Sequence, residues 1–173
     1  LTEKGWINFQ EYFVKEKCKP PIRDLKFEGI RNAVLTNDAL KSIKQSDIII
    51  LAPSNPLVSL SPIIEIPGMR KALIESKVPK IGISPFIGDK TIKGPANKMM
   101  KELGKKPNAI GFAQIIHNIL DLFIIDESDK KLLKEINKLI PQVHLTDILM
   151  KTQDDKLRLA TELLNTSEKV FCD

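Results

Sequence analysis

Five consecutive apolar residues, Ile48 to Ala52, run straight into Pro53-Ser54-Asn55-Pro56. The run is too short to cross a membrane and has no helical period. It therefore predicts a strand buried on both faces, as in a parallel sheet. Pro53 cannot donate to a ladder and ends the strand. Pro56 holds Asn55 extended, and Pro62 suits the first turn of a helix. The order is buried strand, polar loop, helix start. In open α/β sheets ligands bind beyond the carboxyl ends of the strands, where a helix start offers free N–H groups to an anion. An ordinary capped turn accounts for the same serines and asparagine.

The pattern recurs. Strand-like runs at 80–84, 122–126 and 142–146 each end in polar residues and alternate with helical periodicities. Thr36 or Asn37 can cap a helix carrying Leu40 and Ile43. Met69, Ala72 and Leu73 mark another after Pro67-Gly68. Ala96, Met99, Met100 and Leu103 form a helix face, with Pro95 at its first turn and Gly104 past its end. Phe112 to Leu120 and Leu132 to Leu139 trace two more, and the last helix is expected to carry Leu157, Ala160 and Leu164, fraying beyond Asn165. Strand-helix alternation of this kind predicts a single α/β domain over residues 1–173, with a mostly parallel sheet and helices on both faces. The strand ends would gather Ser54, Asn55, Ser84, Asp126 and Asp147 on one rim. Residues 22–30 alternate apolar and charged side chains and read as a half-exposed strand.

Several function classes lose support. The net charge is +5, but only four of the 27 basic residues are arginine, and the lysines are scattered, so no nucleic-acid partner is expected. Cys18 and Cys172 stand singly, as reduced thiols of a cytoplasmic protein would. His117 and His144 have no metal spacing. No stretch approaches a membrane span.

Two stretches invite chemistry beside the serine loop. Gly88, Lys90, Lys93 and Gly94 precede the helix at 96. The glycines let backbone approach a ligand and the lysines add positive charge, without the ending of a Walker motif. A surface loop fits them equally. Residues 5–17 hold four of the nine aromatics, and Trp6, Phe9 and Phe13 fall at helical spacing. That face is core packing, a stacking surface for a flat heterocycle, or the cover of a further part of the protein.

The stretches GWINFQEYFVKEKCKPPIRDLKFEG, LAPSNPLVSLSPIIEIPGMRKAL, ISPFIGDKTIKGPANKMMKELG, LFIIDESD and VHLTDILM resemble the 2-phospho-L-lactate transferase family of deazaflavin coenzyme F-420 biosynthesis. The likeness runs from about residue 5 to 165. It implies a Rossmann-like fold, a homodimer and a magnesium-dependent reaction. The implied donor is a guanosine diphosphate ester of lactate or a similar three-carbon acid. The implied acceptor is the ribityl hydroxyl of a 5-deazaflavin, and GMP leaves. On that reading Ser54, Asn55, Ser59 and Ser61 cradle the diphosphate, while Gly88, Lys90, Lys93 and Gly94 steady donor or acceptor. Arg70 would reach a phosphate or simply lie on a surface helix. The family's glycine-rich nucleotide loop and paired aspartates are not in this text, and Leu1 is not an initiator methionine. The expectation is a C-terminal portion, inactive alone, with catalytic and metal-binding residues elsewhere. The rival expectation is a nucleotide-sugar-binding regulator of the same fold.

Overall fold

A computed structural model describes residues 1–91 and 94–171. Four parallel strands form the sheet in the order β1 (Ile49–Leu51), β2 (Lys80–Ile83), β5 (Leu122–Asp126), β6 (Gln142–Thr146). A small antiparallel hairpin, β3 (Phe86–Ile87) and β4 (Lys90–Thr91), follows β2. The helices are α1 (Asn37–Gln45), α2 (Ser61–Ile64), α3 (Met69–Glu75), α4 (Ala96–Glu102), α5 (Ala109–Ile116), α6 (Leu133–Ile136) and α7 (Gln153–Phe171).

The strand order dictates where the helices go. Every crossover steps in one direction, and right-handed crossovers then put the intervening helices on one face. Leu73 of α3, Met100 of α4, Phe112 and Ile116 of α5 and Ile136 of α6 accordingly share a core with Leu51, Phe123 and Ile125. The Phe112 and Phe123 rings stack there at 5.4 Å. Of the described helices only α7, after the last strand, packs on the other face, where Leu159 and Leu163 meet Ile81, Ile83, Leu122 and Ile124. The register makes the division strict: Leu51, Gly82 and Phe123 lie in one row, and Ile50, Ile81 and Leu122 in the next.

Three expectations need correction. The strand at 48–52 is not buried on both faces. It is an edge strand, and Ile50 on the α7 side is 46% exposed because α7 does not reach it. The 22–30 stretch is not a strand: exposure alternates only from Asp24 to Glu28, no described strand pairs with it, and it ends in the 3-10 turn Ile30–Asn32. The α7 stripe is Leu159 and Leu163, while Leu157 and Leu164 face solvent and the helix continues to Phe171.

Polar clasps fix the remaining geometry. Lys80 is buried at the start of β2, its ammonium held by the Ser76 and Val78 carbonyls (3.0 and 2.9 Å) and by Asp121 (2.9 Å). At the edge strand β6, Glu162 of α7 takes hydrogen bonds from His144 (2.9 Å) and Thr146 (2.7 Å), with Arg158 at 3.6 Å. Partial burial works to raise the Glu162 pKa, but the bonds from His144 and Thr146 outweigh it and hold the carboxyl below its ordinary value of 4.5. A depressed carboxylate contributes stability above its unfolded pKa and loses it as pH falls through the folded value. The urea midpoint should therefore drop more steeply below pH 4.5 in the wild type than in Glu162→Gln, which cannot titrate. Identical slopes for the two would remove this clasp from the account.

Candidate functional site

The parallel sheet brings the loops after β1, β2, β5 and β6 to one edge, and side chains tie them together. Asn55 caps the π-helical turn Pro56–Leu60, its carbonyl oxygen accepting from the Leu57 and Val58 N–H groups at 2.9 and 3.4 Å. Its amide nitrogen lies 3.7 Å from Met99 Sδ, joining the first loop to α4. Gly88, at φ 59°, donates its N–H to Asp129 Oδ2 at 3.1 Å, joining the hairpin to the turn after β5. Asn97 donates to the Asp89 carbonyl, and Asn108, which caps α5, also reaches Asp89.

The serine-rich turn and the glycine-lysine turn thus meet through α4. Ser54 and Ser59 are half-buried, and Ser61 is 7% exposed. Lys90 is exposed on β4, and the Gly94 carbonyl accepts from Thr91 Oγ1 at 3.2 Å. Lys93 lies outside the described residues. Ser84 and Asp126 turn inward: Ser84 accepts from the Phe86 N–H (3.0 Å), and Asp126 accepts from Ser128 (2.6 and 3.0 Å).

Asp129 is fully buried, and its Oδ1 has no hydrogen-bond partner among the described residues. Burial pushes its pKa up. The Gly88 N–H opposes this and Asp126 adds to it. Even so, among the described residues no three Asp, Glu, His or Cys side chains come together as a set that could hold a metal ion. The described helices also include none long and apolar enough to cross a membrane.

Two cavities flank this region, and both are lined by a segment that the sequence did not mark as part of a site. The first is apolar, about 430 Å³, with walls from Trp6, Phe9, Tyr12, Val58, Pro62 and Met99. Trp6 is half exposed, with the Lys26 ammonium 5.1 Å from its ring, and Phe9 stacks on Phe13 at 5.6 Å. The second cavity is polar, about 1100 Å³, with Ser61, Arg70, Arg31 and Lys105 in its lining. Residues 24–28 line both and form the wall between them. Of the serine-loop candidates, Ser61 lines the second of these two cavities, and Ser54, Asn55 and Ser59 line neither. Arg70 is half-buried there, donating to the Ile115 carbonyl at 3.0 Å.

The cavity wall is clasped to α4. Lys98 Nζ donates to Tyr12 Oη (3.2 Å), the Pro20 carbonyl (2.9 Å) and Glu102 (2.8 Å), and Glu102 accepts from the Ile22 N–H (3.0 Å). Burial pushes the Tyr12 phenol pKa up, against the pull of Lys98. The aromatic expectation is refined accordingly: Tyr12, 3% exposed, is the core member, and Trp6 and Phe13 remain open. His117 is exposed.

Comparison with known proteins gives the chain a family. The family described as 2-phospho-L-lactate transferase CofD matches residues 1–163. The 2-phospho-L-lactate transferase of Methanothermobacter thermautotrophicus is 37% identical over 164 residues, 95% of this chain and 52% of the relative. That of Methanocaldococcus jannaschii is 35% identical over 91% of this chain and 49% of the relative. That of Methanopyrus kandleri is 33% identical over 98% and 54%. The chain spans about half the length of the curated relatives it matches. With its four-stranded parallel sheet and this match over nearly its whole length, the chain belongs to the 2-phospho-L-lactate transferase CofD family.

Proposed function

We propose that this chain serves a 2-phospho-L-lactate transferase reaction and supplies the pocket for the acceptor. The transferred group is a 2-phospholactate, or a phosphoenolpyruvate-type group, carried as its guanosine diphosphate ester. The acceptor is the ribityl hydroxyl of a 5-deazaflavin. The hydroxyl oxygen bonds to the phosphorus bearing the three-carbon acid, the bond to the second phosphate breaks, the hydroxyl proton is lost, and GMP leaves. Magnesium and a homodimer belong to this reading through the family alone.

One observation carries it: an apolar cavity of about 430 Å³, walled by Trp6 and Phe9, that abuts the turn led by Asn55. Its volume lies in the range of small-molecule sites. Open aromatic faces suit a flat heterocycle, each offset-stacked pair adding about 1 kcal/mol beyond its buried area. Val58 and Pro62 line the cavity and Asn55 touches Met99, so a ring bound there would hold its polar tail near the serine-rich turn. Reactions of this type depend chiefly on alignment and charge neutralisation. The protein's part is then to fix the ring and so aim the hydroxyl.

Trp6 is the single tryptophan of the chain, so its fluorescence reports on this pocket. Titration with the deazaflavin should quench it to saturation, and Phe9→Ala should weaken the apparent affinity about tenfold, the equivalent of about 1.4 kcal/mol. Absence of quenching, with saturable binding of a uridine-sugar nucleotide instead, would turn the assignment to the regulator reading.

A further inference from the structure

We propose that the polar cavity on the far side of the 24–28 wall is a phosphate-binding subsite clamped by Arg70 and Arg31, with Lys105 and Ser61 completing it. The chain uses arginine sparingly, at four positions against 23 lysines, yet two of the four line this one cavity of about 1100 Å³. Arginine differs from lysine in offering a planar fork of donors that matches phosphate oxygens two at a time. Arg70 is already oriented: one terminal nitrogen donates to the Ile115 carbonyl at 3.0 Å, which fixes the plane and leaves its other donors available.

The charges around the cavity sort into engaged and available groups. Lys26 is paired with Glu28 at 2.8 Å. Asp24 Oδ1 accepts from the Leu25 N–H at 2.8 Å. Among the described residues Arg31, Arg70 and Lys105 form no ion pair, so three cations face the cavity without an acidic partner. Asp24, whose bond from the Leu25 N–H leaves its charge in place, and Glu65 also line it and oppose an anion. The positive excess is therefore modest, and binding should weaken with salt. Ser61, nearly buried, adds a hydroxyl to the same lining. A group carrying two negative charges answers three free cations better than a single carboxylate does.

The natural ligand, a phosphate-bearing donor beside the acceptor pocket, rests on the transferase reading; the anion site itself does not. The test is calorimetric titration of the chain at low salt with inorganic pyrophosphate, inorganic phosphate and L-lactate. Pyrophosphate should bind more tightly than phosphate, and lactate should not register. Arg70→Ala should weaken pyrophosphate at least tenfold, Arg70→Lys should recover only part of that, and Glu65→Gln should tighten it. Lys134→Ala, on the exposed side of α6, serves as control and should change nothing. Should Arg70→Ala fail to fold, the Arg31→Ala loss and the Glu65→Gln gain decide. Pyrophosphate binding that is absent, or indifferent to Arg70, Arg31 and Glu65, overturns the subsite, as does lactate matching pyrophosphate. Pyrophosphate binding without deazaflavin quenching of Trp6 would sink the acceptor reading and leave this site standing.

Discussion

Gly111→Ala should lower the unfolding free energy by about 3 kcal/mol, a melting shift of roughly 6–12 °C for a chain of this size. On propensity alone the change would stabilise a helix by up to about 1 kcal/mol. The packing reverses that sign. A Cβ at residue 111 would fall 1.8 Å from the Lys106 carbonyl oxygen and 2.8 Å from Met100 Cε. The methionine end can swing aside, but the carbonyl belongs to the backbone between α4 and α5. The first turn of α5 must then lift, and with it Asn108, whose side chain caps that turn through the Ile110 and Gly111 N–H groups. Phe112, stacked on Phe123 of the central strand β5, moves next. Thermal melts followed by circular dichroism provide the check. A variant as stable as the wild type, or more so, would show that propensity outweighs the close approach.

Much of this architecture was legible because it follows from local periodicity. The apolar runs ending at Leu51, Ile83, Asp126 and Thr146 are strands, and Thr36, Pro62, Pro95 and Gly104 stand at the helix boundaries their chemistry favours. What was illegible depends on neighbours. Ile50 reads as buried, yet an edge strand has a partner on one side only, and α7 leaves it uncovered. Residues 24–28 have the alternation of a strand but no described strand pairs with them, and they wall two cavities instead. Period alone could not choose between Leu157 and Leu159 as the inward row of α7, since the choice depends on which direction the chain leaves β6.

The site divides the same way. The serine-rich turn declared itself through Asn55 and its prolines, and it does sit at the carboxyl edge of the sheet. The cavities are assembled from residues far apart in the chain: Trp6 with Met99, and Arg31 with Arg70 and Lys105. A scarcity of arginine was the available hint, and it pointed to Arg70 without saying what stood opposite.

Lys98→Met should detach the aromatic wall of the proposed acceptor pocket while leaving the sheet intact. Methionine keeps the length of the apolar stem and removes the charge. Three bonds go with it, to Tyr12, Pro20 and Glu102, and Glu102 keeps only the Ile22 N–H. Hydrogen bonds to a charged group contribute about 1.5–3 kcal/mol, and the Pro20 carbonyl and the carboxylate lose the partner that balances their partial burial. Few other polar ties hold this arm: the Leu1 amine donates to the Asp24 carbonyl and Arg23 N–H to the Leu1 carbonyl, but both join the arm to itself. The loss should therefore appear as local opening rather than global unfolding. Amide exchange of residues 6–22 should speed up at least tenfold, quenching of Trp6 by the deazaflavin should fall in parallel, and exchange in β2 and β5 should stay within twofold of wild type. The proposed pyrophosphate binding at Arg70 gives the sharper division. If residues 24–28 move with the arm, it weakens too; if the Lys26–Glu28 pair and the Leu25 turn hold the wall in place, it survives while the acceptor pocket is lost. Unchanged exchange across residues 6–22 would show that Ile7, Phe9 and Tyr12 hold the arm by apolar packing alone.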